Sequence, residues 1–591
     1  MTTMKKYMLF LLSGFLTTSC LDTEVLPDSI TIGEDMWKSK EDVSAMVNGA
    51  YQAMVANDVI ERCVVWGTFR GDEVNHLTTT LSGVQKENDL RDIKAGQMTQ
   101  TNMYADWASF YSVINKCNLV LEKAPGVVNS DPAYTQGSLN TDLSQMLALR
   151  SLCYFYLVRA FRDVPVTDGA YTESTQEREI PQQAPLTVLN KCVEDLEKAM
   201  KTPLSPIGYT DWRRVGYINR DGIAAILADV YLWRASMTHN AADYQKCVEY
   251  CDVVLNSKKE IYSEMLTMGG QTRRWPNLIY NGAQVYSAVF AEGNSAESIF
   301  ELQMNGQANK NTGLRNCYWN YDDKSRSTGL MNASLKFGTL GSDGYFLSNL
   351  DFRYYESCVN VTKTDLPEFE IFKTASNKPI TGINDVTTNV ASSRSLDQNG
   401  YVERNWIVYR LSDVMLMKAE ALVQLAPEDG AEVDPEDPTA TNLRAAFTLV
   451  NEVNKRSLAK TSFAKADTID FQANNNKAAM EELVLAERLR ELCFEGKRYF
   501  DLLRYNYRHT EGVQPDRILA DISEDPKAML TNYKPMMDLM TRGMSEGSAA
   551  AAAKMPTEPY LYFPVLESEL KANTKLKQNP AYKADDIYVK N

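Results

Sequence analysis

Histidine is nearly absent: 591 residues carry three, His76, His239 and His509. That leaves little room for a histidine-built metal or acid–base centre. Basic charge is also short, with 62 Lys and Arg against 77 Asp and Glu. A net charge of −15 argues against nucleic acid as a partner, because phosphate backbones select basic surfaces. Beyond the first residues no 18-residue apolar run exists, so no later segment reads as a membrane span. Thirty glycines and 21 prolines are too few for a collagen-like chain. What is present, 44% apolar and 24% charged residues, is globular, and the length allows several domains.

The start of the chain has its own pattern. Lys5 and Lys6 precede an apolar run from Tyr7 to Leu12, continued by Phe15 and Leu16, and then Thr17, Thr18, Ser19 and Cys20. A basic start, a short apolar stretch and small residues read as a secretion signal. Cys20 resembles the lipobox cysteine of bacterial lipoproteins, which is diacylated and becomes the first mature residue. Leu16 lies one place further upstream than usual. Acylation would anchor the chain to membrane lipid, since each buried CH₂ contributes about 0.8 kcal/mol. Cleavage removes two lysines and no acid, so the mature chain is more acidic still.

Nine further cysteines remain, an odd number, so at least one is unpaired or pairs between chains. Most lie in apolar helical patterns and read as small buried thiols. Cys247 and Cys251 are one helical turn apart but lack the rest of a tetrahedral metal site. The acidic stretch from Glu428 to Pro438 lacks EF-hand spacing and reads as a solvated turn. The sequence calls for no cofactor and no metal.

Helical periodicity dominates the first half: Asp42 to Val55, Tyr104 to Ala124, Leu143 to Phe161, Pro185 to Met200, Arg220 to Ser236 and Ala242 to Leu255. Pairs of such helices joined by turns suit a helical-repeat array. Residues 259–405 are rich in Gly, Asn, Ser and Asp, with a strand-like run at Ser298 to Gln303. Helices return at Trp406 to Leu425, Leu443 to Leu458 and Ala478 to Phe494, and Tyr560 to Val565 reads as a short buried strand. The expected division is therefore a signal at 1–20, helical repeats at 21–258, an irregular lobe at 259–405, and closing helices at 406–591 in the same body.

The motifs sharpen this. Residues 405–421 read NWIVYRLSDVMLMKAEA and residues 487–504 read ERLRELCFEGKRYFDLLR. Asn454-Lys455-Arg456 lies between them, and the chain closes with Phe563-Pro564-Val565 and Gln578-Asn579-Pro580-Ala581-Tyr582. Earlier come Trp107, Tyr111, Ile114, Asn115 and Asn118, then Leu149-Arg150, Tyr154-Phe155 and Asp163-Val164-Pro165. Together these resemble the SusD/RagB family of outer-membrane nutrient-binding lipoproteins of Bacteroidetes. Arg162 stands where that family usually has glycine. The resemblance implies a mainly α fold, with tetratricopeptide-like helix pairs packed against an irregular, loop-rich lobe. It implies a surface lipoprotein of the outer membrane that captures glycan and passes it to a SusC-like TonB-dependent transporter, without catalysis. Peptide capture and a purely structural lid are the alternatives, and glycoside hydrolysis is a remote one.

The charged motif residues also make sense physically. Arg410 and Asp413 are three apart; Glu491, Glu495 and Arg498 are four and three apart. With Glu420 they read as a structural ion network within and between helices. For ligand, sugar binding needs flat apolar faces beside planar hydrogen-bonding groups. Two regions qualify. Trp66, Arg70 and Asp72 follow the first helix, and Trp319, Asn320 and Tyr321 form the densest aromatic–polar cluster. Trp275 and Tyr345 are further candidates.

Overall fold

The computed structural model describes residues 36–76, 85–172, 176, 179–262, 278–280, 282–304, 309–318, 329–358, 371, 373, 404–428, 441–458, 468–524 and 557–582. Helix is the main element. The longer helices are α1 (Lys40–Met54), α2 (Asn57–Val64), α3 (Gln85–Lys94), α4 (Ala108–Ser130), α5 (Gln136–Phe161) and α6 (Pro185–Ala199). They continue with α7 (Arg220–Thr238), α8 (Ala241–Ile261), α9 (Leu411–Gln424), α10 (Asn442–Arg456), α11 (Lys477–Leu492) and α12 (Arg498–Arg508). The starts are chemically marked. Ser39 and Asp42 form a reciprocal capping box on α1, and the side chains of Thr135, Asn219, Asn240, Thr441 and Asn476 cap α5, α7, α8, α10 and α11. Pro185 opens α6, where a missing N–H costs nothing.

Packing follows chain order. α1 lies on α4, α4 on α5, α5 on α6, α6 on α7, α7 on α8, α8 on α9, and α9 on both α10 and α11. Each helix covers the apolar face its predecessor leaves open, so the array builds one continuous core. The central members have almost no exposed side: α5 is buried throughout from Ser144 to Phe161.

Six short strands make three antiparallel ribbons: β1 (Val74–His76) with β5 (Met331–Ala333), β2 (Val164–Pro165) with β3 (Gln182–Gln183), and β4 (Ser298–Leu302) with β6 (Trp406–Arg410). The expected helix from Trp406 therefore begins only at Leu411. Trp406–Arg410 is extended because it pairs with β4, from Leu302 opposite Trp406 to Ser298 opposite Arg410. Two other expectations change. α4 runs through Pro125 to Ser130, beyond the expected end at Ala124. Tyr560 to Val565 is not a strand: a 3₁₀ turn at Glu558–Leu561 leads into extended chain whose Phe563 N–H donates to Ala160 O at 2.9 Å.

Arg162 explains its own departure from glycine. Its φ is +65° with ψ −66°, and Asp163 N–H donates to Phe161 O at 2.9 Å, closing a tight γ-turn at the end of α5. A glycine would sit there without strain. The arginine instead uses its donors on Glu558 at 2.6 Å, Asp163 at 2.8 Å, and the carbonyls of Gln514 and Arg517, both at 2.8 Å. One fully buried side chain thus ties three distant segments together.

All nine described cysteines are free and buried. Among the described residues no group of three or more His, Cys, Asp or Glu could hold a metal ion, and no helix is long and apolar enough to cross a membrane.

Candidate functional site

The body is braced by two buried ion networks, and α11 supplies both. In the first, Glu491 accepts from Arg410 at 2.6 Å, from Arg353 at 3.1 Å and from Arg456. Arg410 also holds Glu495 (2.8 Å), which Lys373 shares (2.6 Å). Glu487 joins Arg353 (2.8 Å) and Arg490 (2.7 Å), Asp351 holds Arg353 (2.7 Å), and Glu297 holds Arg456 (2.7 Å). In the second, Asp413 meets Arg488 (3.1 Å) and Lys497 (2.9 Å), and Asp501 bridges Arg488 (2.9 Å) and Arg504 (2.7 Å). Glu420 takes Arg504 (2.8 Å) and Arg508 (2.6 Å). Cations and carboxylates alternate, so neither network buries a lone charge.

The pairing differs from the spacing argument. Arg410 sits at the end of β6 and reaches α11, not Asp413. Arg498 bonds Asp72 through two contacts, 2.6 and 2.8 Å, rather than Glu495. Burial pushes Glu491 up, but Arg456, Arg410 and Arg353 outweigh it and hold the carboxyl well below its usual range.

The same geometry shows where four of the ligand candidates lie. Trp66 has no exposed surface. Its ring stacks on Phe110 at 4.9 Å, and its indole N–H donates to Tyr104 O at 2.9 Å. A platform needs a wet face, and this indole has none. Arg70 donates to Leu561 O at 2.5 Å and to Tyr560 O, and lies over the Tyr499 ring at 4.9 Å. Asp72 is the counter-ion of Arg498. Tyr345 is half-buried, donating its hydroxyl to Asp72 O at 2.7 Å with its ring 4.9 Å from Phe337. These four side chains fix the turn after α2. Trp275, Trp319, Asn320 and Tyr321 lie outside the described residues, as does Cys20.

The turn is built for close approach. Val65–Phe69 is a π-helical turn, and a Cβ on Gly67 would lie 1.9 Å from Gly496 O. Lys94 closes it, donating to the carbonyls of Phe69, Gly71 and Val74 at 3.1, 2.8 and 2.7 Å. Burial lowers Lys94 to about 8 and raises the fully buried Glu73 to about 8.

From this base the chain departs twice. β1 ends at His76, which pairs with Met331 at the start of β5. Leu330 N–H donates to Cys317 O at 3.0 Å, closing the base of residues 319–328. Cys317 belongs to the helix Thr312–Tyr318, held on α2 so tightly that a Cβ on Gly313 would meet Asn57 O at 2.3 Å. His76, Leu330 and Met331 therefore lie at the same end of one ribbon.

Two other features stand apart. A cleft of about 410 Å³ lies where α7, α9 and α12 end and α8 and α11 begin. His239, Tyr244, Lys477, Glu481, Arg508 and His509 line it. Its charges are committed: Glu481 takes Arg508 at 2.5 Å and His509 at 2.8 Å, and Lys477 reaches Glu428. The second feature is an aromatic shelf between α6 and α7. Trp212 is 45% exposed, and its ring centroid lies 5.7 Å from that of Tyr217. The Tyr209 ring centroid lies 6.0 Å from that of Tyr217. Sequence reasoning passed over this loop, although Tyr209-Thr210-Asp211-Trp212-Arg213 meets the criterion of aromatics in polar, non-helical context.

Two family models match the chain. One, described as the SusD family, covers residues 280–582. The other, described as starch-binding associating with outer membrane, covers residues 23–232. A SusD-like protein, P38, of Formosa agariphila is 25% identical over 554 residues, spanning 86% of this chain and 94% of that protein. Among solved structures, a SusD homolog from Bacteroides thetaiotaomicron superposes with a TM-score of 0.65 at 16% identity, covering 93% of this chain and 98% of that one. A SusD superfamily protein from Bacteroides vulgatus gives 0.63 at 16% identity, covering 93% and 100%. One family model spans just over half of the sequence and the fold is shared along nearly all of it, so the chain belongs to the SusD family.

Proposed function

We propose that this protein is a lipid-anchored capture protein of the outer membrane that binds oligosaccharide and delivers it to a SusC-like TonB-dependent transporter. The observation that carries the reading is the match of residues 23–232 to the family described as starch-binding and associating with the outer membrane. The build supports it. A body cross-braced by paired charges holds His76 opposite Met331 and Leu330 on Cys317, a rigid base for the loops that carry the ligand residues in this reading. The large buried carboxylates of the motifs are bound to arginines, an arrangement suited to rigidity rather than to proton transfer. Lipid attachment through Cys20 holds the protein at the membrane, facing the cell exterior.

The test is calorimetric titration of the chain beginning at residue 21 with neutral glycans and with a peptide digest, repeated with Trp319→Ala. Binding of one glycan class, weakened by the substitution while the unfolding curve stays unchanged, is the expected result. Binding of peptides alone overturns glycan capture in favour of peptide capture. Product release from a bound glycan overturns the non-catalytic reading. For the anchor, Cys20→Ala should abolish acyl labelling and release the protein from the membrane fraction.

A further inference from the structure

We propose that the shelf formed by Tyr209, Trp212 and Tyr217 is a stacking surface for a neutral oligosaccharide. This rests on the reading of the protein as a glycan-capture protein.

The shelf is built rather than incidental. Gly216 makes room for the indole: a Cβ there would lie 2.7 Å from the Trp212 ring and 2.8 Å from the Gln303 side chain. Any other residue would lift the ring or displace Gln303. Tyr217 is locked from below, with its ring 5.1 Å from Tyr51 and its hydroxyl donating to Asn48 at 2.6 Å. Arg213 lies over the Tyr209 ring at 4.5 Å and is held by Asp211 at 2.8 Å. The shelf is thus a tilted set of aromatic faces, fixed before any ligand arrives.

Its border sets the ligand chemistry. Asn48 and Gln52 are four apart on α1 and so share a face. Gln52 exchanges amide hydrogen bonds with Asn309 at 2.9 and 3.2 Å. Planar amides beside flat rings match the equatorial hydroxyls and C–H face of a pyranose. The Asp211–Arg213 pair cancels its own charge, so the described residues of the shelf present no net charge to select an ionic ligand. A purely apolar partner would leave the amides and the ion pair facing apolar surface, which is costly.

Asn309 also links the shelf to the helix Thr312–Tyr318, into which the chain passes. That path spans at most about 20 Å. A chain of several sugars is long enough to run along it from the shelf.

The test titrates the chain from residue 21, as wild type, Trp212→Ala and Trp212→Phe, with maltose, maltoheptaose and a linear β-glucan heptasaccharide. The expected result is that Trp212→Ala weakens at least one heptasaccharide five-fold or more, spares the disaccharide, and leaves the unfolding curve unchanged. Trp212→Phe should restore most of the affinity. Equal heptasaccharide affinity in wild type and Trp212→Ala overturns the shelf while glycan capture stands. If Trp212→Ala instead loses co-purification with the transporter and keeps glycan affinity, the shelf is a protein contact and the proposal is overturned. If wild type binds no neutral glycan in this set or in the wider panel, glycan capture itself fails and the shelf with it.

Discussion

Replacing Glu491 with glutamine keeps the shape of the side chain and removes its charge from among three arginines. Arg410 (2.6 Å), Arg353 (3.1 Å) and Arg456 all donate to this carboxylate, and its side chain is 2% exposed. Each such contact is worth about 4 kcal/mol in gross Coulomb energy at an effective dielectric near 20. Most of that offsets desolvation, and breaking a buried pair leaves a net cost of about 3–5 kcal/mol. A chain of this size gains roughly 1.2 kcal/mol/K of entropy if it unfolds as one unit, so Tm should fall by only about 2–4 °C. Equilibrium urea unfolding followed by tryptophan fluorescence is the more sensitive assay. Because the folded pKa of Glu491 is depressed, its contribution is present above the ordinary carboxyl pKa and is lost as pH falls through the folded value. The gap between wild type and Glu491→Gln should therefore be full at pH 7 and narrow only below about pH 4. Lys571→Ala is the control: its partner Glu567 is 47% exposed and Lys571 71% exposed, so the loss should stay under about 0.5 kcal/mol. A loss below about 1 kcal/mol for Glu491→Gln at pH 7 would refute the claim that these motif charges brace the fold.

Other perturbations test separate parts of the argument. Arg162→Gly relieves a positive φ worth about 1 kcal/mol but strands Glu558, so urea unfolding should show a net loss of about 2–4 kcal/mol; a gain would mean that backbone strain dominates. Glu73 has a folded pKa raised to about 8 by burial, so its stabilising contribution is complete below the ordinary carboxyl pKa and fades as pH rises to 8. Glu73→Gln should gain on wild type by roughly 4 kcal/mol between pH 4 and pH 8, and parallel pH–stability curves would contradict the buried neutral acid. Gly67→Ala puts a methyl against the Gly496 backbone and should cost about 3 kcal/mol or more, read as a lowered urea midpoint. A thiol reagent at pH 8 should find almost none of the nine described cysteines in the native chain and all of them after denaturation, since burial pushes thiols such as Cys63 and Cys117 up to about 12.

Much of the scaffold was legible without coordinates. Helix positions follow from apolar spacing, which repeats within one or two turns of the chain. The burial of the cysteines follows from their apolar neighbours. The charged motifs were recognisable as a network because Arg410 and Asp413, and Glu491, Glu495 and Arg498, fall three and four residues apart beside strongly apolar residues, where an unpaired charge is costly. Family membership was legible because its motifs are contiguous stretches of sequence, such as residues 405–421 and 487–504.

Partner choice was not. Local spacing pointed Arg410 at Asp413 and Arg498 at Glu495. The fold gives Arg410 to Glu491 and Glu495, and Arg498 to Asp72, which is 426 residues away in sequence. Trp406–Arg410 looked helical until β4, 104 or more residues earlier in the chain, supplied the hydrogen bonds that hold it extended. Trp66 and Trp212 make the same point for the site. Both sit near Gly, Thr, Asp and Arg in irregular sequence, yet one has no exposed surface and the other is 45% exposed. A tryptophan's neighbours in sequence set its rotamers and turn, which are local. Which of its faces stays wet depends on what packs against it, and that was settled by Phe110, Phe161 and Tyr104 for Trp66 and by the small Gly216 for Trp212.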